Sequence, residues 1–282
     1  MPILSLQDLQ QVSPLLRGRM GCMIGRCAMR LFAINKLNAL YDRHAHLCGP
    51  SFAHSILKEL GVNYDVFADT PDVIFQLDKL RRGTPFITIS NHPYGSIDGV
   101  ILADYFGHHC SDYKIIVNQM LGRVKALSSS FIPVTPVGAK CNSPTKESIL
   151  GIRHALMHLK SGGALGVFPA GAVSDLDLHH RCVCDREWQP SIIRFIAQAE
   201  VPILPVRFFD GNSLFYYLLG LIDWRVRLLR LPAEVFNKDD VSVRLSIGPL
   251  ISVEQQQQYL ATHTLEDFGL WLRNKVYGMS VK

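Results

Sequence analysis

The sequence predicts an α/β fold: a mostly parallel central sheet flanked by helices, with an N-terminal amphipathic helical addition. Short apolar runs of strand length alternate with helix-like segments through the middle of the chain, and such alternation is typical of a parallel sheet covered by helices. A chain of 282 residues that is 48% hydrophobic can bury a large core. No Gly-, Pro- or Ser-rich linker divides it. We therefore expect one continuous structural unit at residues 71–282, preceded by a helical segment at residues 1–70.

The predicted strands and helices alternate from about residue 86 onward. Strands are expected at residues 86–89, 114–117, 131–134, 164–168, 203–208 and 241–247. Helices are expected at residues 98–106, from about 144 to 160, and at 191–200. Two further helices are expected near the C-terminus, because Ser252 is followed by Gln255, and Thr264 by Asp267, in the pattern of a helix-capping box.

Residues 15–41 contain no proline and carry apolar side chains at helical spacing. Arg19, Arg26 and Arg30 border this apolar stripe, and no acidic residue occurs within it. The composition suits a helix that lies on an anionic membrane surface. A helix packed on the core with a solvated basic face fits the same pattern equally well. The three arginines are therefore candidate membrane-docking residues.

A second stretch, residues 215–230, is apolar and then basic. Aromatic and aliphatic residues at 215–222 precede Trp224, Arg225 and Arg227. A tryptophan followed by arginines favours a membrane-docking or acyl-chain-binding element over a plain core helix. Trp224, Arg225 and Arg227 join the candidate docking residues.

Charge and cysteine content limit the class of protein. The formal net charge of +5 favours anionic partners such as phospholipid headgroups or an acidic carrier protein, and no nucleic-acid-binding motif accompanies it.

Seven scattered cysteines do not resemble a disulfide framework, and no secretory signal is visible. The longest uncharged stretches are too short to span a bilayer. We expect a cytoplasmic protein, bound peripherally to the inner membrane.

The segment with the clearest chemical content follows the strand predicted at 86–89. His92 comes directly after that strand, and Asp98 stands at the start of the next predicted helix. Pro93 and Gly95 between them favour a turn, so that the carboxylate can fold back on the imidazole. A carboxylate bound to one ring nitrogen fixes the tautomer and raises the basicity of the other nitrogen. His92 and Asp98 are therefore a candidate general base and its orienting partner, although core histidines and helix-capping aspartates also occur at such places.

Three further short blocks stand in order after this pair. They are Phe-Ile-Pro at 131–133, Phe-Pro-Ala-Gly at 168–171 and Pro-Ile-Leu-Pro-Val at 202–206. Together with the His…Asp block, their order and spacing resemble the glycerophospholipid acyltransferase superfamily, which includes the lysophosphatidic acid acyltransferases. The resemblance covers roughly residues 84–206. It implies transfer of a fatty acyl chain from an acyl thioester, carried by acyl carrier protein or coenzyme A, to a hydroxyl of a lipid precursor.

The sequence departs from the common family pattern at three places. Five residues, rather than four, separate His92 from Asp98. Val134 stands where the common pattern has arginine, and Ala170 where it has glutamate. By resemblance, that arginine and glutamate help to hold glycerol phosphate. The forms present here look more like a bacterial hemolysin-like subgroup related to the acyltransferases of ornithine and glycine lipid synthesis, whose acceptors are N-(3-hydroxyacyl) amino acids without a phosphate.

The resemblance also implies substrate-binding positions around the catalytic pair, namely Asn91, Gly95, Phe168, Pro169, Ala170, Gly171 and Ser174. Backbone N–H groups at 171–174, or in the turn at Gly95, are candidates to stabilise the negative charge on the carbonyl oxygen. No Gly-x-Ser-x-Gly nucleophile motif is present. The expected mechanism needs neither a metal nor a cofactor, and the His-His-Arg-Cys-Val-Cys run at 179–184 matches no common zinc spacing.

Two alternatives remain open at this stage. The first is a 1-acylglycerol-3-phosphate acyltransferase that holds phosphate with another residue, such as Arg153 or Lys125. The second is a non-enzymatic membrane-surface or lytic protein, which would need neither His92 nor Asp98.

Overall fold

A computed structural model describes residues 3–12, 17–80, 83–110, 112–119, 121–134, 146–238 and 241–280. The chain begins with four helices: α1 (Leu6–Val12), α2 (Gly18–Leu31), α3 (Ile34–His44) and α4 (Gly49–Glu59). Strand β1 (Asn63–Ala68) and helix α5 (Asp72–Leu80) follow. The central elements are β2 (Ile87–Ser90), α6 (Ser96–His109), β3 (Tyr113–Asn118), β4 (Phe131–Val134), α7 (Lys146–Lys160) and β5 (Ala164–Val167).

The C-terminal half continues with a hairpin of β6 (Asp175–Asp177) and β7 (Cys182–Cys184), then α8 (Pro190–Ala199) and β8 (Ile203–Phe208). Helices α9 (Leu214–Ile222) and α10 (Trp224–Val235) precede β9 (Ser242–Ile247). The last two helices are α11 (Val253–Leu260) and α12 (Leu265–Tyr277). The predicted capping boxes are present at Ser252 and Thr264, whose side chains accept hydrogen bonds from the backbone of Gln255 and Asp267.

In the described part of the chain, seven strands form one sheet in the order β1-β9-β8-β2-β5-β3-β4. Neighbouring strands run parallel except for β8 and β9, which are antiparallel. The predicted mostly parallel α/β fold is therefore confirmed, and each of the six predicted strands is present to within two residues. Strand β2 lies at the centre of the order, so His92, two residues beyond its end, projects from the middle of the carboxyl edge.

Two apolar cores cover the two faces of the sheet. Helices α4 and α6 close the first core, to which β3 contributes Ile115 and Val117. Helices α7, α8 and α12 close the second, to which β3 contributes Ile116. Successive strand residues point to opposite faces, so the continuous apolar runs of these strands reflect burial on both sides.

The N-terminal region differs from its prediction in two ways. Residues 15–41 do not form one helix: α2 ends at Leu31, Ala33 adopts a left-handed conformation with φ of 56°, and α3 starts afresh at Ile34. Residues 13–16 lie outside the described residues. The segment expected to be helical up to residue 70 also supplies an edge strand, because β1 pairs with β9.

Helix α2 exposes its large side chains and buries its small ones. Gly21 and Gly25 are buried, and a Cβ atom at Gly25 would lie 2.4 Å from Leu6 of α1. Met20, Met23, Ile24 and Leu31 are all at least half exposed. These apolar side chains are therefore not part of the core. Among the helices that the structure describes, none is both long and apolar enough to cross a bilayer.

Candidate active site

The loop between β2 and α6 brings the two predicted catalytic side chains together. Nδ1 of His92 lies 3.1 Å from Oδ2 of Asp98. The ring is turned so that its N–H direction misses the carboxylate, and no aligned hydrogen bond forms. Such contacts are often poorly aligned before substrate binds and tighten in the reacting complex. Nδ1 thus faces Asp98, and the imidazole side chain is 17% exposed, which leaves Nε2 as the nitrogen that a substrate could reach.

The Asp98 carboxylate is held in place by backbone amides of its own loop and helix. Oδ2 accepts hydrogen bonds from the N–H groups of Tyr94 and Gly95, and Oδ1 accepts one from Gly99. Asp98 is fully buried. The five residues between His92 and Asp98 bring the two side chains together because Gly95 turns the chain with φ of +80°. A Cβ atom at this position would lie 2.9 Å from Val173. The turn therefore requires glycine.

A second buried carboxylate, which sequence reasoning missed, binds the backbone of His92. Oδ1 of Asp185 accepts hydrogen bonds from the His92 backbone N–H at 3.1 Å and from the Ser174 hydroxyl at 2.5 Å. Its Oδ2 accepts one from the indole N–H of Trp188 at 3.2 Å. Asp185 matches none of the motif blocks, and Trp188 three positions later is the only sequence signal of a buried environment. This carboxylate ties the β6–β7 hairpin to the His92 loop.

The two carboxylates favour the protonated form of His92. Burial of the imidazole opposes protonation. The charge of Asp98, the contact of its carboxylate with the ring nitrogen and, to a smaller extent, the charge of Asp185 together outweigh burial, so the pKa of His92 is raised. Burial also raises the pKa of the Asp185 carboxyl, against the effect of the hydrogen bonds from Ser174 and the His92 backbone. A base with a raised pKa accepts a proton from a hydroxyl more readily, and it loses activity as the pH falls through that pKa.

The Phe-Pro-Ala-Gly block forms one wall beside His92. The Phe168 ring lies against the imidazole, with 4.0 Å between ring centroids. The carbonyl groups of Pro169 and Ala170 accept hydrogen bonds from Gln189. Gly171 has φ of +65° and its N–H donates to Phe168. Of this block, Phe168 and Gly171 line the cavity described below, while Pro169 and Ala170 are buried.

Two of the predicted substrate-binding residues have structural partners instead. Both ends of the Asn91 side-chain amide pair with the backbone of Phe208, at 2.8 Å each, because this residue continues the pairing of β2 with β8. Ser174 is buried, with its hydroxyl on Asp185 and its N–H on the His92 carbonyl. These side chains hold the His92 loop, and their contact with a substrate stays a prediction.

An apolar cavity of about 460 Å³ opens onto His92, within the size range of small-molecule sites. Its described lining includes no Asp, Glu, Lys or Arg, and His92 is the only histidine in it. Besides His92, the polar side chains in the described lining are those of Ser96, Asn118, Ser148, Gln189, Ser191 and Tyr41. The Ser96 hydroxyl, which sequence reasoning also missed, is buried without a hydrogen-bond partner in the described structure.

The candidate docking residues fall into different environments. Arg19, Arg26 and Arg30 are exposed on α2, and Trp224 is 55% exposed. Arg227 is buried, in an ion pair with Asp175 and hydrogen bonds to the carbonyls of Val173 and Ser174. Its guanidinium closes a loop inside the protein, so the prediction that it meets a membrane is wrong. The side chain of Arg225 lies outside the described residues.

The cysteine- and histidine-rich run at 179–184 lies in and beside the turn of the β6–β7 hairpin, on the surface. His180 faces Asp177 there, at 2.7 Å. Across the described ranges, no group of three or more His, Cys, Asp or Glu side chains is arranged to hold a metal ion. This run therefore contributes nothing to the site around His92.

Comparison with known proteins gives a consistent result. Residues 9–280 match the protein family described as "Acyltransferase". The chain is 26% identical over 208 residues to a lyso-glycine lipid O-acyltransferase of Bacteroides thetaiotaomicron, a match that covers 70% of this chain and 73% of the relative. It is 25% identical over 218 residues to a lyso-glycine lipid O-acyltransferase of Phocaeicola vulgatus, covering 75% of this chain and 74% of that protein. Since the family match spans nearly the whole chain, the protein belongs to the acyltransferase family.

Proposed function

We propose that this acyltransferase moves a fatty acyl chain from an acyl thioester to the hydroxyl of an N-(3-hydroxyacyl) amino acid of the glycine- or ornithine-lipid type. The observation that carries the proposal is the composition of the cavity. A single base, His92, opens into an apolar cavity of about 460 Å³ whose described lining has no charged residue beside that base. Such a site suits long acyl chains and an uncharged hydroxyl.

The proposed reaction uses His92 first as a base and then as an acid. With Nδ1 toward Asp98, Nε2 removes the proton of the acceptor hydroxyl as its oxygen attacks the thioester carbonyl carbon. The tetrahedral intermediate collapses, the C–S bond breaks, and the imidazolium returns the proton to the thiolate. The products are an ester and a free thiol. Because the acceptor hydroxyl attacks the thioester directly, no acyl-enzyme is formed.

The negative charge on the carbonyl oxygen needs hydrogen-bond donors. Three of the amides expected to supply them have other partners: Gly95 donates to Asp98, Gly171 to Phe168, and Ser174 to His92. Ser96 and Ile97 line the cavity and are the first two residues of α6, where amides lack an intrahelical acceptor. We propose that these two amides, together with the Ser96 hydroxyl, face the oxyanion.

The proposed acceptor class is supported by the absence of a charged phosphate ligand from the described lining of the cavity. Val134 lines the cavity at the place where the common pattern has arginine. Arg153 and Lys125, the alternative phosphate ligands, are exposed and do not line it. A phosphate is typically gripped by such charged donors. The relatives' names, which specify a lyso-glycine lipid, agree with an acceptor that lacks phosphate.

We further propose that the protein works at an anionic membrane surface, through two exposed faces. Helix α2 presents four large apolar side chains beside Arg19, Arg26 and Arg30. Helices α9 and α10 present a second exposed apolar set: Leu214, Phe215, Leu218, Leu221, Ile222, Trp224, Val226 and Leu228. Exposed apolar side chains in contiguous groups commonly mark interaction sites, and a product with two acyl chains must enter a bilayer.

The test is a competition between acceptors. Purified protein would receive one acyl thioester with equal amounts of an N-(3-hydroxyacyl)glycine and lysophosphatidic acid, in parallel with acyl carrier protein and coenzyme A as the thiol. We expect the diacylated glycine lipid to be the main product in mass spectrometry. A clear preference for lysophosphatidic acid would favour the 1-acylglycerol-3-phosphate alternative, and lack of transfer to either acceptor would contradict the proposal.

A further inference from the structure

The cavity at His92 extends to both faces of the sheet. Ile116 and Val117 are neighbours on β3 and point to opposite faces, and they belong to different apolar cores. Both nevertheless line this one cavity. The cavity therefore passes around the carboxyl ends of the strands, and His92, two residues beyond the end of the central strand β2, lines it.

Each part of the cavity has its own helices. The first limb is lined by Leu37, Leu40 and Tyr41 of α3, Phe52 and Ile56 of α4, and Val235 of α10. The second limb is lined by Val134 of β4, Ile149 and Ile152 of α7, and Ile192 of α8. The residues of the first limb belong to or pack against the first core, apart from Leu37. Val134, Ile152 and Ile192 pack against the second core.

The proposed reaction requires two chains to meet at one point. The donor chain starts at the thioester carbonyl carbon, which is the atom attacked. The acceptor chain continues from the carbon that carries the attacking hydroxyl. Both chains therefore begin within a bond or two of the new ester, and they must leave His92 in different directions.

We propose that the two limbs bind the two chains separately, with the acceptor's acyl chain in the first limb and the donor's acyl chain in the second. This inference rests on the proposed function. The assignment of the limbs follows from the neighbours of α3. Helices α2 and α10, which carry exposed apolar side chains, both contact α3, and α3 lines the first limb. An acceptor lipid that arrives from a membrane bound to α2 and α10 reaches the first limb without crossing the sheet.

The chain offers a matched pair of positions for a test. Ile56 on α4 lines the first limb, and Ile152 on α7 lines the second. Ile56→Phe and Ile152→Phe shorten one limb each, while Ile56→Ala and Ile152→Ala lengthen one limb each. Each variant is the control for its counterpart, because the same change in side chain is made at the other limb. Thermal unfolding identifies the folded variants, and the alanine pair carries the test if a phenylalanine variant does not fold.

The measurement is kcat/KM over a series of acceptor chain lengths at a fixed donor, and over a series of donor chain lengths at a fixed acceptor. We expect Ile56→Phe to lower kcat/KM for the longest acceptors by about 10- to 200-fold, because one methylene too many in a hydrophobic pocket costs roughly this factor. The dependence of kcat/KM on donor chain length should stay unchanged. Ile152→Phe should act only on the donor profile. The alanine variants should move the same profiles toward longer chains.

Three results would overturn the inference while leaving acyl transfer intact. Parallel shifts of both profiles in every variant would show one shared channel, and a donor shift in the Ile56 variants would reverse the assignment. Unchanged profiles in all folded variants would show that neither limb holds a chain. Failure of the proposed function would look different, because wild-type protein would then transfer no acyl chain to an N-(3-hydroxyacyl) amino acid.

Discussion

The His92 loop and the outer face of α2 differ in the surroundings of their side chains: those of the loop are buried and hydrogen-bonded, and the large apolar ones of α2 are exposed. In the loop, both oxygens of Asp98 and both oxygens of Asp185 accept hydrogen bonds from neighbouring residues. On α2, Met20, Met23, Ile24 and Leu31 are at least half exposed. A buried polar network holds its side chains in one arrangement, whereas an exposed apolar face commonly marks an interaction site. This difference supports the proposed roles, in which the first region carries the chemistry and the second binds a membrane.

Of the changes to the two carboxylates beside His92, Asp98→Asn is expected to have the larger effect. We expect a loss of about 10²- to 10⁴-fold in acyl transfer, because the side chain no longer fixes the tautomer of His92. Three backbone N–H groups donate to the two oxygens of Asp98, and asparagine offers only one acceptor oxygen. The free energy of unfolding should therefore fall by about 1–3 kcal/mol. Steady-state kinetics and thermal unfolding measure the two effects. Binding to vesicles should not change, and an active Asp98→Asn enzyme would contradict the proposed role.

A smaller effect is expected from Asp185→Asn. Asparagine keeps one acceptor oxygen, so its NH2 group must face the donor on one side of the carboxylate site. The resulting misplacement of the His92 ring should reduce kcat/KM by about 10- to 100-fold. The pH profile should also change. Activity requires neutral His92, and removal of a negative charge lowers the pKa of His92 from its raised value, so activity should persist to lower pH than in the wild type.

The matched control is Asp177→Asn, which removes the same charge from the same hairpin. Asp177 pairs with His180. Hydrogen bonds from His180 lower the pKa of the Asp177 carboxyl to about 2. We expect no shift of the acid limb in this control. If Asp185→Asn and Asp177→Asn gave the same pH profile, Asp185 would have only a structural role.

The smallest effect on chemistry is expected from changes to the α2 face. Replacement of Arg19, Arg26 and Arg30 by glutamine should weaken binding to anionic vesicles by about 3 kcal/mol in total, at about 1 kcal/mol for each arginine. Moderate salt should weaken wild-type binding in the same way. Transfer to a short-chain soluble acceptor should stay at the wild-type rate. Co-sedimentation with anionic and neutral liposomes measures the binding.

A control variant changes the same charge elsewhere, with Arg153, Lys160 and Arg194 of α7 and α8 replaced by glutamine. These three side chains are also exposed, and their loss should leave vesicle binding nearly intact. Equal losses in the two triple variants would indicate general charge attraction rather than docking through α2. Indifference of the wild type to anionic liposomes at low salt would contradict the docking proposal altogether.

The same contrast explains how much could be predicted from sequence. Apolar runs buried on both faces, such as β3 and β8, give a strong strand signal, and capping boxes such as Ser252–Gln255 mark helix starts. Strand β1 was missed because it lies at the sheet edge with alternating exposed and half-buried residues. The break at Ala33 was missed because alanine normally favours helix, and tertiary packing overrides that preference.

Within the candidate site, sequence reasoning found the two residues that we propose to carry the chemistry and missed the residues that hold them. His92 and Asp98 are close in the chain and stand in a recognisable block. Asp185 comes from a hairpin 93 residues beyond His92, and only the fold brings it there. Arg227 was misplaced because a basic residue in an apolar helix suggests an interface, whereas here Asp175 compensates its burial.

The most direct test of His92 as the base compares wild-type protein with His92→Ala on an acyl thioester and an N-(3-hydroxyacyl)glycine. Asp98 keeps its three backbone hydrogen bonds in this variant, so thermal unfolding should show a folded protein. We expect the wild type to form the diacylated lipid with release of one thiol per ester, and folded His92→Ala to form none above the uncatalysed rate. Robust turnover by folded His92→Ala would show that His92 is not the catalytic base.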